Sequence, residues 1–538
     1  MATPTVRSLF LRHALAASLA ACAGAAAHAQ VASVNGTAAS AVAAPVPVQE
    51  RRWIDARSQK PLAIARQAIR RLAAAEQDGL LAQDYQVAAL EDALVAAIQK
   101  PLSEQEGAQL EGRIQQAVVR YLNDLHSGRI NPKTIGEHYA ADTRPPFDAE
   151  ALLAQFAPSG NLDALWQAAT PQAPMYAGLR AELQRYLALR QDPAWAEALP
   201  LPPQGKPILA GQTWPGLEVV AHRLVRLGDL SAVWATSPVA FGPELAAALQ
   251  SFQARHGLPA TGHIDRATVQ QLNVPPAERA VQIAQTMERL RWVPLHHKPR
   301  MIVVNVPEYR LRAYTVNDAG KVQQVLPINV IVGKANSNRT VLFSEDMKWI
   351  EFSPYWNVPG SITRKEMLPR LQRDPDYVRR NNYEIVGANG RTTQATPEAI
   401  AALASGKARL RQRPGRGNAL GGVKFMLPNR YNIYLHHTPS TGLFKRADRA
   451  LSHGCIRVED PAALAHFVLQ NDPNWPLPRI REVLDKRISH TVHLQTPVPV
   501  VITYFTAVIG EDGKLHFLPD VYGQDKRLKN ALLKRQGA

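Results

Sequence analysis

A chain of 538 residues with 46% hydrophobic and 20% charged side chains has apolar material for several buried cores, which excludes general disorder. The formal charge of +17 suits anionic surroundings such as membrane headgroups or wall carboxylates. The basic residues are scattered rather than gathered in a stripe, which argues against nucleic acid. Beyond the N-terminal segment no stretch is long and apolar enough for a membrane helix.

Residues 1–29 read as an export signal, with Arg7 and Arg12, an Ala/Leu-rich centre, and Ala27-His28-Ala29 as a cleavage site before Gln30. The mature chain is therefore expected in the periplasm. Leu19-Ala20-Ala21-Cys22 offers an alternative: it resembles a lipobox, which would make Cys22 a lipidated membrane anchor and the protein an outer-membrane lipoprotein facing the periplasm. On either reading Cys455 is left as the one cysteine of the folded chain, with no intramolecular disulfide partner.

Residues 30–50, rich in Ala, Val, Ser and Pro, read as a linker. Over 51–205 the period is helical: Leu62, Ile69 and Leu72 form one stripe and Leu90, Leu94 and Ile98 a second. A third runs from Gln116 to Leu125 and is ended by Gly128-Arg129-Ile130-Asn131-Pro132. Such stripes predict packed core, so this region reads as a helical scaffold.

A Pro/Gly-rich boundary precedes a small module over 206–276. There Leu245, Leu249 and Phe252 line a helix face, followed by Gln253, Gly257, Leu258, Thr261, Gly262, Ile264 and Asp265. Gly257 suits a helix end, Gly262 a turn and Asp265 an N-cap. The pattern resembles the three-helix peptidoglycan-binding domain of wall enzymes. An amphipathic helix over 277–298 then returns to the scaffold.

From 299 to 510 the chain turns strand-rich, with runs at Met301–Val306, Leu311–Tyr314 and Val330–Gly333. An insertion over about 362–416 is helical and charged. Its cluster Arg409, Arg411, Arg413 and Arg416 either attracts an anionic peptide or forms a solvated face. Residues Asn418–Phe425 return to the sheet, and 511–538 read as a polar, basic tail. The whole is a multidomain α+β chain.

The chemistry concentrates in Tyr431-Asn432-Ile433-Tyr434-Leu435-His436-His437 and Ser452-His453-Gly454-Cys455-Ile456-Arg457. A thiol needs a base or an electropositive turn to become a nucleophile. His436 or His453 can supply that base, and the amides around 453–455 could face a developing oxyanion, with Gly454 admitting a substrate carbonyl. Three His and one Cys could instead hold zinc, but no carboxylate or second Cys completes the set, so neither metal nor cofactor is expected.

His436 followed by Ser452-His453-Gly454-Cys455-Ile456-Arg457 resembles the signature of the YkuD-type L,D-transpeptidases. Asp78-Gly79-Leu80 with Tyr85, and Tyr121-Leu122-Asn123-Asp124-Leu125, resemble the scaffold of the long proteobacterial, YcbB-like members. The resemblance implies a mostly β, sandwich-like catalytic domain in which 362–416 forms a lid. It implies Cys455 as nucleophile, His436 as base, the His437 backbone carbonyl orienting that base, and His453 and Gly454 in an oxyanion turn. Arg457, Ser452, Tyr434 and Asn418 are assigned to substrate binding, although Arg457 reads equally as a structural residue and Tyr434 more as packing beneath the cleft. The implied reaction joins a tetrapeptide donor stem to a diaminopimelate acceptor in a 3→3 cross-link, with carbapenems as inhibitors. Hydrolysis, D-amino acid exchange, lipoprotein detachment and a non-catalytic wall-binding scaffold are the competing readings.

Overall fold

The computed structural model describes residues 52–139, 147–203, 205–232, 240–293, 298–317 and 321–536. The expected export signal, lipobox and linker lie outside them. The scaffold comprises α1 (Ala63–Ala73), α2 (Val87–Gln99), α3 (Glu104–Ser127), α4 (Ala149–Phe156), α5 (Leu162–Ala169) and α6 (Pro174–Ala188). The sequence stripes account for its core: Ile69, Leu72, Leu90, Leu94, Val118, Leu122 and Leu125 are all buried in one cluster. Leu62 and Ile98 depart from their stripes and are 37% and 47% exposed. The start of α3 is fixed by a capping box, in which the Ser103 hydroxyl accepts from the Glu106 amide and the Glu106 carboxylate accepts from Ser103. The scaffold also contributes β1 (Glu137–His138), which pairs in parallel with a strand of the catalytic sheet.

The small module contains α7 (Leu217–Leu227), α8 (Pro243–Arg255) and α9 (Arg266–Leu272). Its motif residues are structural. The buried Gln253 donates to the His263 carbonyl at 2.7 Å and accepts from the Gly262 amide at 2.8 Å, and Asp265 caps α9 through the Thr268 amide at 2.7 Å.

The return helix, α10 (Pro276–Trp292), is buried far more completely than an amphipathic pattern predicts. Glu288, Arg289 and Arg291 are each 2% exposed or less, because each has a polar partner inside. Arg289 meets Glu137 at 3.1 Å and Asp525 at 2.5 Å, while Arg291 meets Glu288 at 2.9 Å and the Tyr176 hydroxyl at 2.8 Å. This helix thus joins scaffold and catalytic domain by charge as well as by apolar packing.

The catalytic sheet is built from β2 (Arg300–Asn305), β3 (Arg310–Val316), β4 (Val322–Gly333) and β5 (Leu342–Phe352). After the lid come β10 (Val423–Met426), β11 (Leu435–His436), β12 (Ala450–Ser452), β13 (Ile456–Val458) and β14 (His490–Thr503). The order β5-β10-β11-β13-β4-β3-β2-β14 returns on itself, because β14 pairs with both β2 and β5. One apolar core lies within.

The lid has its own small sheet, β6 (Trp356–Asn357), β7 (Tyr383–Gly387), β8 (Thr392–Thr393) and β9 (Ala408–Gln412), over a core that includes Leu371, Ile385 and Leu410. It therefore begins at β6, before residue 362, since β6 pairs with β9. The residues read as a tail are ordered too. They supply β16 (Leu515–Phe517), which pairs with β15 (Ala507–Ile509), then a helix over Gln524–Gln536 whose Arg535 meets Asp124 of the scaffold at 2.9 Å.

Arg289→Ala strands Glu137 and Asp525 without their cation. Breaking a buried pair this way costs about 3–5 kcal/mol, so thermal unfolding followed by circular dichroism should show a clearly lowered midpoint. An unchanged midpoint would remove this pairing from what holds the domains together.

Candidate active site

The site is set by strand register. Although β11 is only two residues long, it pairs antiparallel with β10, His436 opposite Lys424, and parallel with β13, His436 opposite Arg457. Residues opposite one another share a sheet face, and residues two apart return to it. Lys424, His436 and Arg457 therefore lie side by side, with Tyr434 and Cys455 next along the same face. All five line a cleft of about 960 Å³ between sheet and lid.

His436 is buried, and its Nδ1 lies 2.5 Å from the His437 carbonyl oxygen. A carbonyl only accepts, so Nδ1 carries the proton and Nε2 keeps a lone pair. Burial, reinforced by the nearby Arg457 charge, lowers the imidazole pKa to about 3. The ring is neutral near pH 7.

Cys455 is partly exposed, and its Sγ donates a long hydrogen bond to the Asn432 carbonyl at 3.6 Å. Burial pushes the thiol above its ordinary value, against the pull of Tyr434, Lys424 and Arg457. Asn432 itself has φ of 55°, a left-handed geometry that Asn tolerates better than most residues. The resting pair is consequently neutral thiol and neutral imidazole, in contrast to a preformed thiolate–imidazolium pair.

The turn before Cys455 is held from behind. Gly454 has φ of +117°, which strains any residue with a side chain. Its carbonyl accepts from the Thr340 hydroxyl at 2.8 Å, and that hydroxyl accepts from the Gly333 amide at 2.9 Å. The Tyr522 hydroxyl donates to the Gly333 carbonyl at 2.6 Å. At Gly333 a Cβ would meet the Asn338 carbonyl at 1.9 Å, so only glycine fits there.

Ser452, Gly454 and Asn418, expected at the oxyanion turn or the substrate, have partners within the chain. The Ser452 hydroxyl donates to the Cys455 carbonyl at 2.6 Å and accepts from the Gly454 amide at 3.0 Å, so it shapes the turn and is not free for substrate. The Gly454 N–H donates in that same bond. Asn418 is buried, with its amide bonded to the Pro354 and Arg413 carbonyls at 3.1 and 2.9 Å and to the Leu420 amide at 2.8 Å. It secures the join between lid and sheet, and a substrate-binding role gives way to that structural one.

The other site residues fall as follows. His453 is exposed, and its Nε2 lies 2.7 Å from Oε1 of Glu366 on the lid. The His437 ring packs on Gly421-Gly422 and accepts from the Gly422 amide at 3.2 Å. Burial lowers the Arg457 pKa, and among the described residues its buried Nε has no hydrogen-bond partner. The Tyr434 ring carries the Lys424 ammonium 4.6 Å above its centre. In the basic cluster, Arg411 and Arg413 both grip Glu384, Arg413 at 2.6 Å. Among the described residues no three of His, Cys, Asp or Glu are grouped as a metal ion would require.

Sequence reasoning missed Thr340, Tyr522, Glu366 and Lys424. Thr340 and Tyr522 act through long-range bonds that no local pattern announces, and Glu366 resembles any charge on a solvated helix. Lys424 could have been found by extending strand alternation from His436 to its neighbour.

Comparison with known proteins agrees with this architecture. The family described as the L,D-transpeptidase catalytic domain, YkuD, matches residues 299–500, the "Scaffold domain" matches 49–183, and the "Putative peptidoglycan binding domain" matches 216–272. The chain thus carries a YkuD L,D-transpeptidase catalytic domain together with a scaffold and a peptidoglycan-binding domain. It is 34% identical over 275 residues to a Haemophilus influenzae protein described as "Putative L,D-transpeptidase", a match covering 50% of this chain and 54% of that relative. The chain therefore spans about half the length of the curated relative it matches. A Clostridium acetobutylicum structure of a fused Zn-dependent amidase/peptidase and peptidoglycan-binding protein aligns over 55% of this chain and 99% of its own. At 11% identity and a TM-score of 0.16, it carries no argument.

Because burial raises the thiol, alkylation of Cys455 by iodoacetamide should keep accelerating as pH passes the ordinary thiol value of 9.0. A rate that levels off below about pH 8 would mean that the thiolate is already formed near neutrality.

Proposed function

We propose that this chain is an exported, periplasmic L,D-transpeptidase that cross-links peptidoglycan stems through a thioester on Cys455. The observation that carries the reading is the ladder of β10, β11 and β13, with a neutral His436 beside the nucleophile turn. Cys455 Sγ attacks the carbonyl between the third residue and D-Ala of a tetrapeptide donor, and its proton passes to His436 Nε2. The C–N bond breaks, D-Ala leaves with that proton, and the stem remains as a thioester. The amine of a diaminopimelate side chain then attacks, His436 takes its proton, and the 3→3 cross-link departs as the thiol is restored.

Since the Gly454 amide is committed to Ser452, the His453 and Cys455 amides are the turn's donors available to an oxyanion. Lys424 and Arg457 make the cleft electropositive and suit the carboxylates of the stem. The lid walls the cleft, and the His453–Glu366 contact ties it to the nucleophile turn; closing over bound stems, it would exclude water and favour the amine acceptor. Carbapenems would acylate the same thiol.

Muropeptide mass spectrometry after incubation with disaccharide-tetrapeptide tests the reading. A dimer lighter by one D-Ala is expected, absent with Cys455→Ala, and reduced on the order of 10²–10⁴-fold with His436→Ala. Tripeptide without dimer would replace cross-linking by hydrolysis, and full activity in Cys455→Ala would overturn the mechanism.

A further inference from the structure

A second cavity, about 700 Å³, opens at the seam where the peptidoglycan-binding module meets α10 and the C-terminal segment of the catalytic domain. Arg279 lies against it, 8% exposed, its guanidinium 4.4 Å from the centre of the Phe517 ring. Its hydrogen-bond partners are neutral: Gln282 at 2.9 Å and Gln271 at 2.5 Å. Among the described residues it has no carboxylate ion-pair partner. Every other buried arginine of α10 has one: Arg289 has Glu137 and Asp525, and Arg291 has Glu288.

The carboxylates near this cavity are otherwise engaged. Asp525 is held by Arg289 and by the Thr506 hydroxyl at 2.5 Å, and Asp520 accepts from the Tyr504 hydroxyl at 2.6 Å and the Gln524 amide at 2.8 Å. Glu278 is exposed at the rim, where water screens it. Exposed Lys526 and Lys529 add positive charge to the same rim. Burial lowers the Arg279 pKa to about 10, as expected of a cation short of its counter-charge. A buried cation is costly unless something anionic completes it.

We propose that this seam is an accessory anion site in which Arg279 binds a free carboxylate of a peptidoglycan stem, separate from the catalytic cleft. The assignment of stems as the ligand rests on the reading of the chain as a wall enzyme. The apolar Phe517, Leu518 and Val274 surfaces beside the guanidinium suit the aliphatic body of a stem. Occupied together, seam and cleft would hold the enzyme on its polymer at two points, which strengthens retention without new contacts at the thiol.

The test uses the full chain and two forms of insoluble peptidoglycan: native, and chemically amidated so that its carboxylates are neutral. Wild type, Arg279→Gln and Arg279→Lys are compared for binding, with circular dichroism confirming the fold of each. The proposal expects wild type to prefer native over amidated wall by a factor that falls about tenfold in Arg279→Gln, the size of one charge-assisted hydrogen bond. Arg279→Lys, which keeps the charge, should retain most of the preference. Equal preference in wild type and Arg279→Gln overturns the site. Turnover of soluble tetrapeptide by wild type is read in parallel. Turnover without an Arg279-dependent preference leaves the enzyme reading standing and removes the site, whereas the preference without turnover does the reverse.

Discussion

The parallel pairing of β11 with β13 is the constraint on which the site depends. Two residues of strand place His436 opposite Arg457, and the chain that leads into β13 brings Cys455 to the same face. A slip of one residue would turn His436 into the core and out of the cleft. The register is protected on both sides. Antiparallel β10 fixes Lys424 opposite His436, and the Ser452, Gly454 and Thr340 bonds fix the turn that feeds β13.

The electrostatics follow from that placement. A histidine inside a sheet, next to Arg457, loses its charge, and a thiol in the same partly closed space keeps its proton. On the proposed mechanism, reactivity arises at the moment of attack, when proton transfer to His436 and substrate binding act together.

Much of this was legible in the sequence, because the decisive residues are local. The strand into His436 and the Ser-His-Gly-Cys turn point to the two side chains that the structure brings to one cleft, and the helical stripes mark Leu72, Leu90 and Leu125 as core. What escaped is what long-range packing decides. Glu288, Arg289 and Arg291 read as a polar helix face but are buried, since beyond the Glu288–Arg291 pair their partners Arg129, Glu137, Tyr176 and Asp525 lie more than a hundred positions away. Asn418 and Ser452 have side chains suited to a substrate, yet backbone groups claim them. The tail misled for the same reason: its basic composition gave no sign that Arg535 docks on Asp124.

The central claim is that Cys455 carries the stem as a thioester. Intact-protein mass spectrometry of the wild-type chain, quenched in acid during turnover of a tetrapeptide stem, addresses it most directly. The account predicts an adduct of the donor less D-Ala, mapped to the peptide holding Cys455 and discharged by an added amine. Turnover with no adduct at any quench time, or an adduct on another residue, would contradict it.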